Sequence, residues 1–520
     1  MAPSRPLILL VVAVSVLLFA AFSFSSQRDS AVEFGHQVVA GHSSLDASAP
    51  SSAALSASCP DPRSPSPAPV PLPEAGKTCT RLPSLHDELV IDACRHADHC
   101  AALDLVIKRT SASHCTRVQD AMRAAPVSND SDITAWVRDS LGPDGFMVLV
   151  DGSERLARFE PDLFQSSCEY TYALRFNNSG PMSIQIFWHY EDYFLYNENN
   201  MEWPIMATER TLFAEPLYLT VCPSCPTHVA PPSSVNATLL EPITPPATSC
   251  SVTNPVYGAY MPVSYLDAHW PGKFYEPLPP NQNAYTFVSA PSCSWTHAGT
   301  RYSDHEPCFR APERSVLFMG DSHMRVAFDG VVHRLSGYQW TMTESEKSGH
   351  KNASFTNRYI DFRWDPAGEG LLFLDCKEIA DFDVIGFSVG HHLHGLSTKE
   401  YLEHINLIME HLTSLVATCP APRGSRQLLY ITPPGVAPRE DEFVRTLKDR
   451  RTNARISHWA RLGRAAAAAA ASGDIWRTVD QYTLTAAFVR DTKDDAHFIE
   501  TDALDAVLDD IIGKIGICDL

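Results

Sequence analysis

Three short stretches of the chain carry residues able to do chemistry together. In SVLFMGDSHMRVAFDG (315–330), Ser322 lies between an apolar run and a segment of helical apolar spacing. A serine hydroxyl attacks a carbonyl only when a neighbouring base takes its proton, and that base needs an orienting partner of its own. The C-terminal stretch RDTKDDAHFIETDALDAVLDD supplies both types, with Asp494 three residues ahead of His497. A third stretch, FSVGHHLHG, adds Ser388, Gly390, His391, His392 and His394, whose imidazoles suit a hydrogen-bonding role at the mouth of a site. The same histidines are of a metal-ligating type. No carboxylate or cysteine stands beside them at a recognised ligand spacing, so no metal is expected. Cys222-Pro-Ser-Cys225 is a lone CxxC, for which disulfide pairing is the expectation in an oxidising compartment.

The surrounding residues predict the elements that position these groups. SVLFMG reads as a buried strand, and Met324, Ala327, Phe328, Val331, Val332 and Leu335 recur at three- and four-residue spacing, which predicts a helix. Ser322 then falls where a parallel strand ends and a helix begins, a place where backbone N–H groups are unpaired and open α/β sheets bind ligands. As a serine at a helix start it also reads as the N-cap, a role compatible with the first. The apolar runs LLFLDC (371–376), DVIGFSVG (383–390), QLLYITPP and IWRTVD alternate with helical segments, among them TKEYLEHINLIMEHLTSLVATC and a long helix through the alanine run 465–471. A last helix carries Leu504, Val507, Leu508, Ile511, Ile512 and Ile515 on one face, with Asp494 and His497 in the loop before it. The alternation predicts a parallel sheet covered on both faces, an α/β domain over 291–520.

A Gly-Asp-Ser after the first strand and an Asp-x-x-His before the last helix resemble the SGNH (GDSL-type) hydrolase superfamily. More narrowly they resemble its PC-esterase branch, which includes the plant trichome birefringence-like polysaccharide O-acetyltransferases and the animal NXPE proteins. GDSHMR matches the branch's Gly-Asp-Ser-x-x-Arg through Arg325. FSVGHH lines up with its Asn-x-Gly-His-Trp block through Gly390 and His391, and DDAHF supplies Asp494 and His497. Ser388 and His392 stand where that block has Asn and Trp, so Ser388 or His391 is expected to take over the oxyanion donor. Gly368 and Gly370 are candidates for the superfamily's second-block glycine. The resemblance implies a three-layer α/β/α domain with Ser322 as nucleophile, His497 as general base and then acid, and Asp494 fixing the imidazole tautomer. Arg325, Gly390, His391 and Ser388 would serve the oxyanion or substrate. It implies transfer of an acyl group, above all acetyl, to a carbohydrate hydroxyl without a bound cofactor, the donor being acetyl-CoA or an acetylated intermediate. Two other readings share the sequence: an acetyl-esterase with the same triad, and a non-catalytic glycan-binding or adhesion glycoprotein. A metal-dependent hydrolase built on the histidines stands behind both.

The rest of the chain sets the context. Its 520 residues exceed one ordinary core, and 44% apolar content indicates a globular protein. A net charge of −20 without clustered Lys and Arg excludes a nucleic-acid partner. Residues 1–6 read as a cytoplasmic tail and 7–24 as an uncleaved membrane anchor, with a cleaved secretory signal as the alternative. Residues 25–78, rich in Ala, Ser and Pro, read as a disordered stem. Residues 79–128 read as a small Cys-rich helical segment, and 129–226 as a β-sandwich resembling immunoglobulin or filamin modules. Residues 227–290 read as a Pro-rich linker. Fourteen cysteines and the sequons at Asn129, Asn177, Asn236 and Asn352 fit a disulfide-bonded glycoprotein. The expected location is the secretory pathway, in the Golgi membrane, as a single-pass type II protein with its catalytic part in the lumen.

Overall fold

The computed structural model describes residues 76–124, 136–165, 167–192, 208–225, 257–262, 285–290, 313–336, 350–355, 358–438, 451–470, 475–492, 496–499 and 501–516. The expected tail and anchor, the expected stem up to residue 75, and with them Asn129, Asn236 and Asp494 lie outside the described residues, while Lys77 and Thr78, read as stem, begin the first strand. Among those residues no helix is long and apolar enough to cross a membrane.

The first part of the chain is built from β1 (Lys77–Leu82), β2 (Leu89–His96), β3 (His99–Arg109), α1 (Ala112–Ala124), β4 (Gly145–Gly152), β5 (Leu156–Arg158), β6 (Leu163–Gln165), β7 (Glu169–Arg175), β8 (Gly180–Tyr190), β9 (Arg210–Thr211) and β10 (Leu217–Val221). They make two antiparallel sheets, β1-β2-β3-β7-β6 and β10-β8-β4-β5 with β9 beside β8. Inward residues of both sheets share one core, in which Leu103, Leu105, Ile107, Tyr170 and Tyr172 meet Val148, Val150, Ile184, Ile186 and Trp188. Within the span read as a sandwich, 129–226, the longer strands are β4, β7, β8 and β10.

The sandwich begins earlier than its sequence pattern predicts. The described part of 79–128 is not a helical segment: β1, β2 and β3 make up half of it, and the one helix there is α1. β3 is buried on both faces, with Asp104 fully buried between Leu103 and Leu105. This blurs the two-residue period that marks a half-buried strand. Cys79–Cys94 joins paired positions of β1 and β2, Cys100–Cys222 ties the two sheets, and Cys115–Cys168 ties α1 to the β6–β7 turn.

Residues 227–290 hold more than a linker. β11 (Tyr257–Pro262) and β12 (Tyr285–Ala290) form a hairpin that clasps the two halves of the molecule. On the sandwich side the Arg155 N–H donates to the Tyr260 carbonyl at 2.8 Å. On the other side the Tyr260 hydroxyl donates to the Leu484 carbonyl at 2.6 Å, and the Tyr285 N–H to Asp502 at 2.7 Å.

The second half comprises β13 (Arg314–Gly320), α2 (Ser322–Leu335), β14 (His350–Phe355), β15 (Arg358–Trp364), β16 (Val384–Ser388), α3 (Thr398–Thr418), β17 (Gln427–Ile431), α4 (Asn453–Ala470), β18 (Trp476–Val479), α5 (Gln481–Thr485) and α6 (Asp502–Ile515). The sheet order is β14-β15-β13-β16-β17-β18, all parallel except β14 at the edge. This is an α/β fold. Right-handed crossovers to opposite sides of β13 send helices to opposite faces. α2 packs with α6, where Arg334 bonds Asp509 at 2.6 Å and Asp505 at 2.7 Å. α3 packs with α4, where the Tyr401 and Trp459 rings stack at 4.2 Å. Ser397 and Glu400 form a reciprocal capping box that starts α3.

One expected strand is absent. LLFLDC does not pair; Gly370–Phe373 is a 3-10 turn closed on Asp365, with Phe373 80% exposed and Cys376 bonded to Cys419. The strand beside β13 is instead β15, RYIDFRW. Its Asp361 accepts from His350 on β14 and from its own Arg363, so charge hides a strand that its neighbours satisfy. The chain leaves β13 toward β15 on one side and β16 on the other. This topological switch point, at the carboxyl ends of β13 and β16 and beside the start of α2, is where open α/β sheets bind ligands.

Candidate active site

The strand ends come unusually close there. Gly320 faces Ser388 across the β13–β16 pair, and a Cβ on Gly320 would stand 2.4 Å from the Ser388 carbonyl oxygen. Any side chain would push the two strand ends apart. The same contact keeps the end of β16, and the His391 turn that follows, beside the start of α2.

The N-cap of α2 is Asp321, not Ser322: the Asp321 carboxylate accepts from the His323 N–H at 2.9 Å. Met324 N–H also closes on this carboxylate, and Arg325 N–H donates to the Asp321 carbonyl at 3.1 Å. Among the described residues, the first-turn amide left outside these bonds is that of Ser322. Asp321 and His323 are buried while Ser322 between them is half-buried, so the site opens at the serine. Burial raises the Asp321 carboxyl above its ordinary range, against the opposing pull of His392, His497 and the two amides.

Three imidazoles cluster at these strand ends. His391 is buried at the start of a 3-10 turn (His391–Leu393), with Nε2 2.9 Å from the Pro434 carbonyl and Nδ1 3.0 Å from His323 Nε2. A carbonyl only accepts, so His391 Nε2 carries a proton. With both rings neutral, His323 Nε2 donates to His391 Nδ1, and His323 Nδ1 keeps its lone pair. Burial, helped by His391 and His497, pushes His323 well below its ordinary pKa and holds it uncharged. The half-buried His497 ring lies 4.9 Å from the His323 ring, centroid to centroid, held by Phe498 and Ile499, which bury beside it ahead of the Thr501-capped α6.

Of the residues chosen from sequence, the fold gathers Ser322, Arg325, Ser388, Gly390, His391 and His497 about these strand ends. Arg325 is buried in the first turn of α2, and Ser388 is buried at the end of β16. Gly390 backs onto Pro433, whose Cβ would stand 2.9 Å from an added Cβ. Asp494 lies outside the described residues. The histidine cluster divides: His391 points inward with both nitrogens bonded, exposed His392 meets the Trp364 ring at 5.8 Å, and the His394 carbonyl accepts from Arg455. A metal would have to displace two hydrogen bonds to reach His391. The Sγ atoms of Cys100, Cys222 and Cys225 lie within 4.8 Å of one another, but all three are disulfide-bonded. Neither second-block glycine offers its N–H to the site: Gly368 donates to the Asp365 carbonyl, and Gly370 and Leu371 close on the Asp365 carboxylate.

At the glycosylation candidates, Asn352 is exposed on β14. Asn177 is only 8% exposed, and its Nδ2 donates to Glu154 at 3.1 Å, which leaves no room for a glycan on the folded chain. Sequence reasoning missed His323, although it stands next to Ser322, because only its ring contacts show its part. It also missed Asp321 as the cap and Trp364 at the strand ends. No family model matches the chain, and no curated protein matches it.

Proposed function

We propose that the chain is a serine-dependent O-acyltransferase, O-acetyl by preference, acting on carbohydrate hydroxyls. Its α/β half would be an SGNH-like domain, and its sandwich an immunoglobulin- or filamin-like module. The observation that carries the reading is that His497, from the far end of the domain, lies 4.9 Å ring to ring from His323, the neighbour of half-buried Ser322 at the start of α2. In this mechanism His497 takes the proton from Ser322 Oγ as the oxygen attacks the acyl carbonyl. The oxyanion is met by the Ser322 amide, with Ser388 and Arg325 as further donors. The C–O or C–S bond to the donor's leaving group then breaks, and His497 returns the proton to it. A sugar hydroxyl, deprotonated by His497, attacks the acyl-serine, the C–O bond to Ser322 breaks, and His497 returns the proton to Ser322 Oγ. Asp494 would fix the imidazole, and no bound cofactor is needed beyond the acyl donor, acetyl-CoA or an acetylated intermediate.

Hydrolysis uses the same atoms with water as acceptor, and the partial exposure of Ser322 favours some of it. The disulfides support an oxidising compartment such as the Golgi lumen, with the chain held by its N-terminal anchor. The test incubates the protein with an acetyl ester and neutral oligosaccharides, and weighs the intact protein for one added acetyl group. Label on Ser322, lost in Ser322→Ala together with transfer and release, supports the reading; undiminished activity in that variant overturns it.

A further inference from the structure

Trp364 ends β15 directly opposite Gly320 in the sheet register, one residue before the chain enters Asp321 and Ser322. It is 42% exposed, although an indole in water forgoes a large burial gain. Its ring meets His392 nearly perpendicularly, at 5.8 Å and 79°, and this contact leaves much of the indole surface to solvent. His392 in turn acts electrostatically on Asp321 and His323, the two residues that flank Ser322, and the Trp364–Gly320 pairing sets the indole at the same strand ends. Arg363, the preceding residue, is turned back onto Asp361 at 3.2 Å and does not make this place a cationic anion site.

We propose that Trp364, with His392 beside it, is the stacking platform for the acceptor: a neutral pyranose ring lies on the indole and presents a hydroxyl toward Ser322. An indole face is electron-rich and flat, which suits the polarised C–H groups on one side of a sugar ring. The His392 imidazole supplies a polar group at the ring's edge. The acidic chain, at −20 net, disfavours an anionic glycan at this mouth. This inference rests on the acyltransferase reading for its choice of acceptor, so binding and turnover are measured apart.

Cellopentaose, xylopentaose and mannopentaose are titrated calorimetrically into the full chain carrying Ser322→Ala, and into the same chain with Trp364→Ala, Trp364→Phe or Tyr218→Ala added. Tyr218 is a still more exposed aromatic on β10 of the sandwich. The expected result is binding of at least one sugar, about tenfold weaker with Trp364→Ala, partly restored by Trp364→Phe and unchanged by Tyr218→Ala. No binding by the parent, or equal binding by parent and Trp364→Ala, overturns the platform. So does binding of AMP in place of the sugars that is lost with Trp364→Ala, which would mark a nucleotide donor pocket. Sugar binding that follows this pattern in a chain whose activity survives Ser322→Ala would keep the platform and discard the nucleophile.

Discussion

Both halves of the molecule bury charge, and they do so differently. In the sandwich, Glu154 is sealed among the Asn177 N–H at 2.6 Å, the Asn178 N–H at 3.1 Å and Asn177 Nδ2. Asp104 is likewise met by Arg175 at 2.8 Å, His96 at 2.9 Å and Lys77 at 3.6 Å. A cavity of about 460 Å³ lies between the halves, but its charges are spent on one another: Arg158 on Asp162, and Arg461 on Glu160 at 3.2 Å. In the α/β half, Asp321, His323, His391 and His497 form a comparable cluster, but it ends at a half-buried serine and a half-buried imidazole. A saturated buried network fixes a fold, whereas one that ends at partly exposed polar groups leaves them available to something else.

The largest effect that would sharpen this contrast is on turnover. Ser322→Ala should lower acetyl transfer by about 10⁴-fold or more while leaving the unfolding midpoint nearly unchanged, read by product assay and by denaturant titration. A loss of stability equal to that of a sandwich variant would break the distinction. Next, Cys100→Ser with Cys222→Ser opens a link of 122 residues between the sheets and should cost about 4 kcal/mol of sandwich stability, checked by urea unfolding. Residual activity per folded molecule should be unaltered.

Glu154 gives a pH signature. Burial raises its carboxyl to about 7, against three hydrogen bonds that pull it down. The folded state therefore holds a proton that the unfolded state has released. Stability is fully present below the unfolded carboxylate value near 4.5 and falls as pH rises through about 7, by roughly 3 kcal/mol over that window. Glu154→Gln should flatten this slope in denaturant titrations at pH 5 and pH 7.5; an unchanged slope would show that the carboxyl is not sealed. The smallest effect expected is at the oxyanion. Ser388→Ala should reduce kcat by about tenfold to a hundredfold with little change in KM if its hydroxyl is one donor among several. No change in kcat would pass the role to the Ser322 amide and Arg325.

The strands and helices on which the site stands were legible where burial is one-sided or complete and apolar. β13 and α2 follow from SVLFMG and the spacing of Met324, Phe328, Val331 and Leu335, and α6 from its own apolar face. β15 was not legible, because Arg358, Asp361 and Arg363 resemble a surface segment until β14 stands beside them. LLFL looked like a strand because local hydrophobicity does not reveal that Asp365 will close it into a turn.

Sequence by itself determined the residue types at the site, their order along the chain, and the propensities of the elements that carry them, since these depend on neighbours within a few positions. Only the tertiary structure decided which pairs meet. The β13–β16 contact at Gly320 and Ser388 brings residues 68 positions apart into register. That closeness lets His391 hydrogen-bond His323 and sets His497 beside them. Helix capping passed to Asp321, Asn177 was drawn inward by Glu154, and the hairpin at Tyr260 and Tyr285 clasped the halves. Each of these rests on packing and hydrogen bonds between distant segments, which no local pattern of side chains encodes.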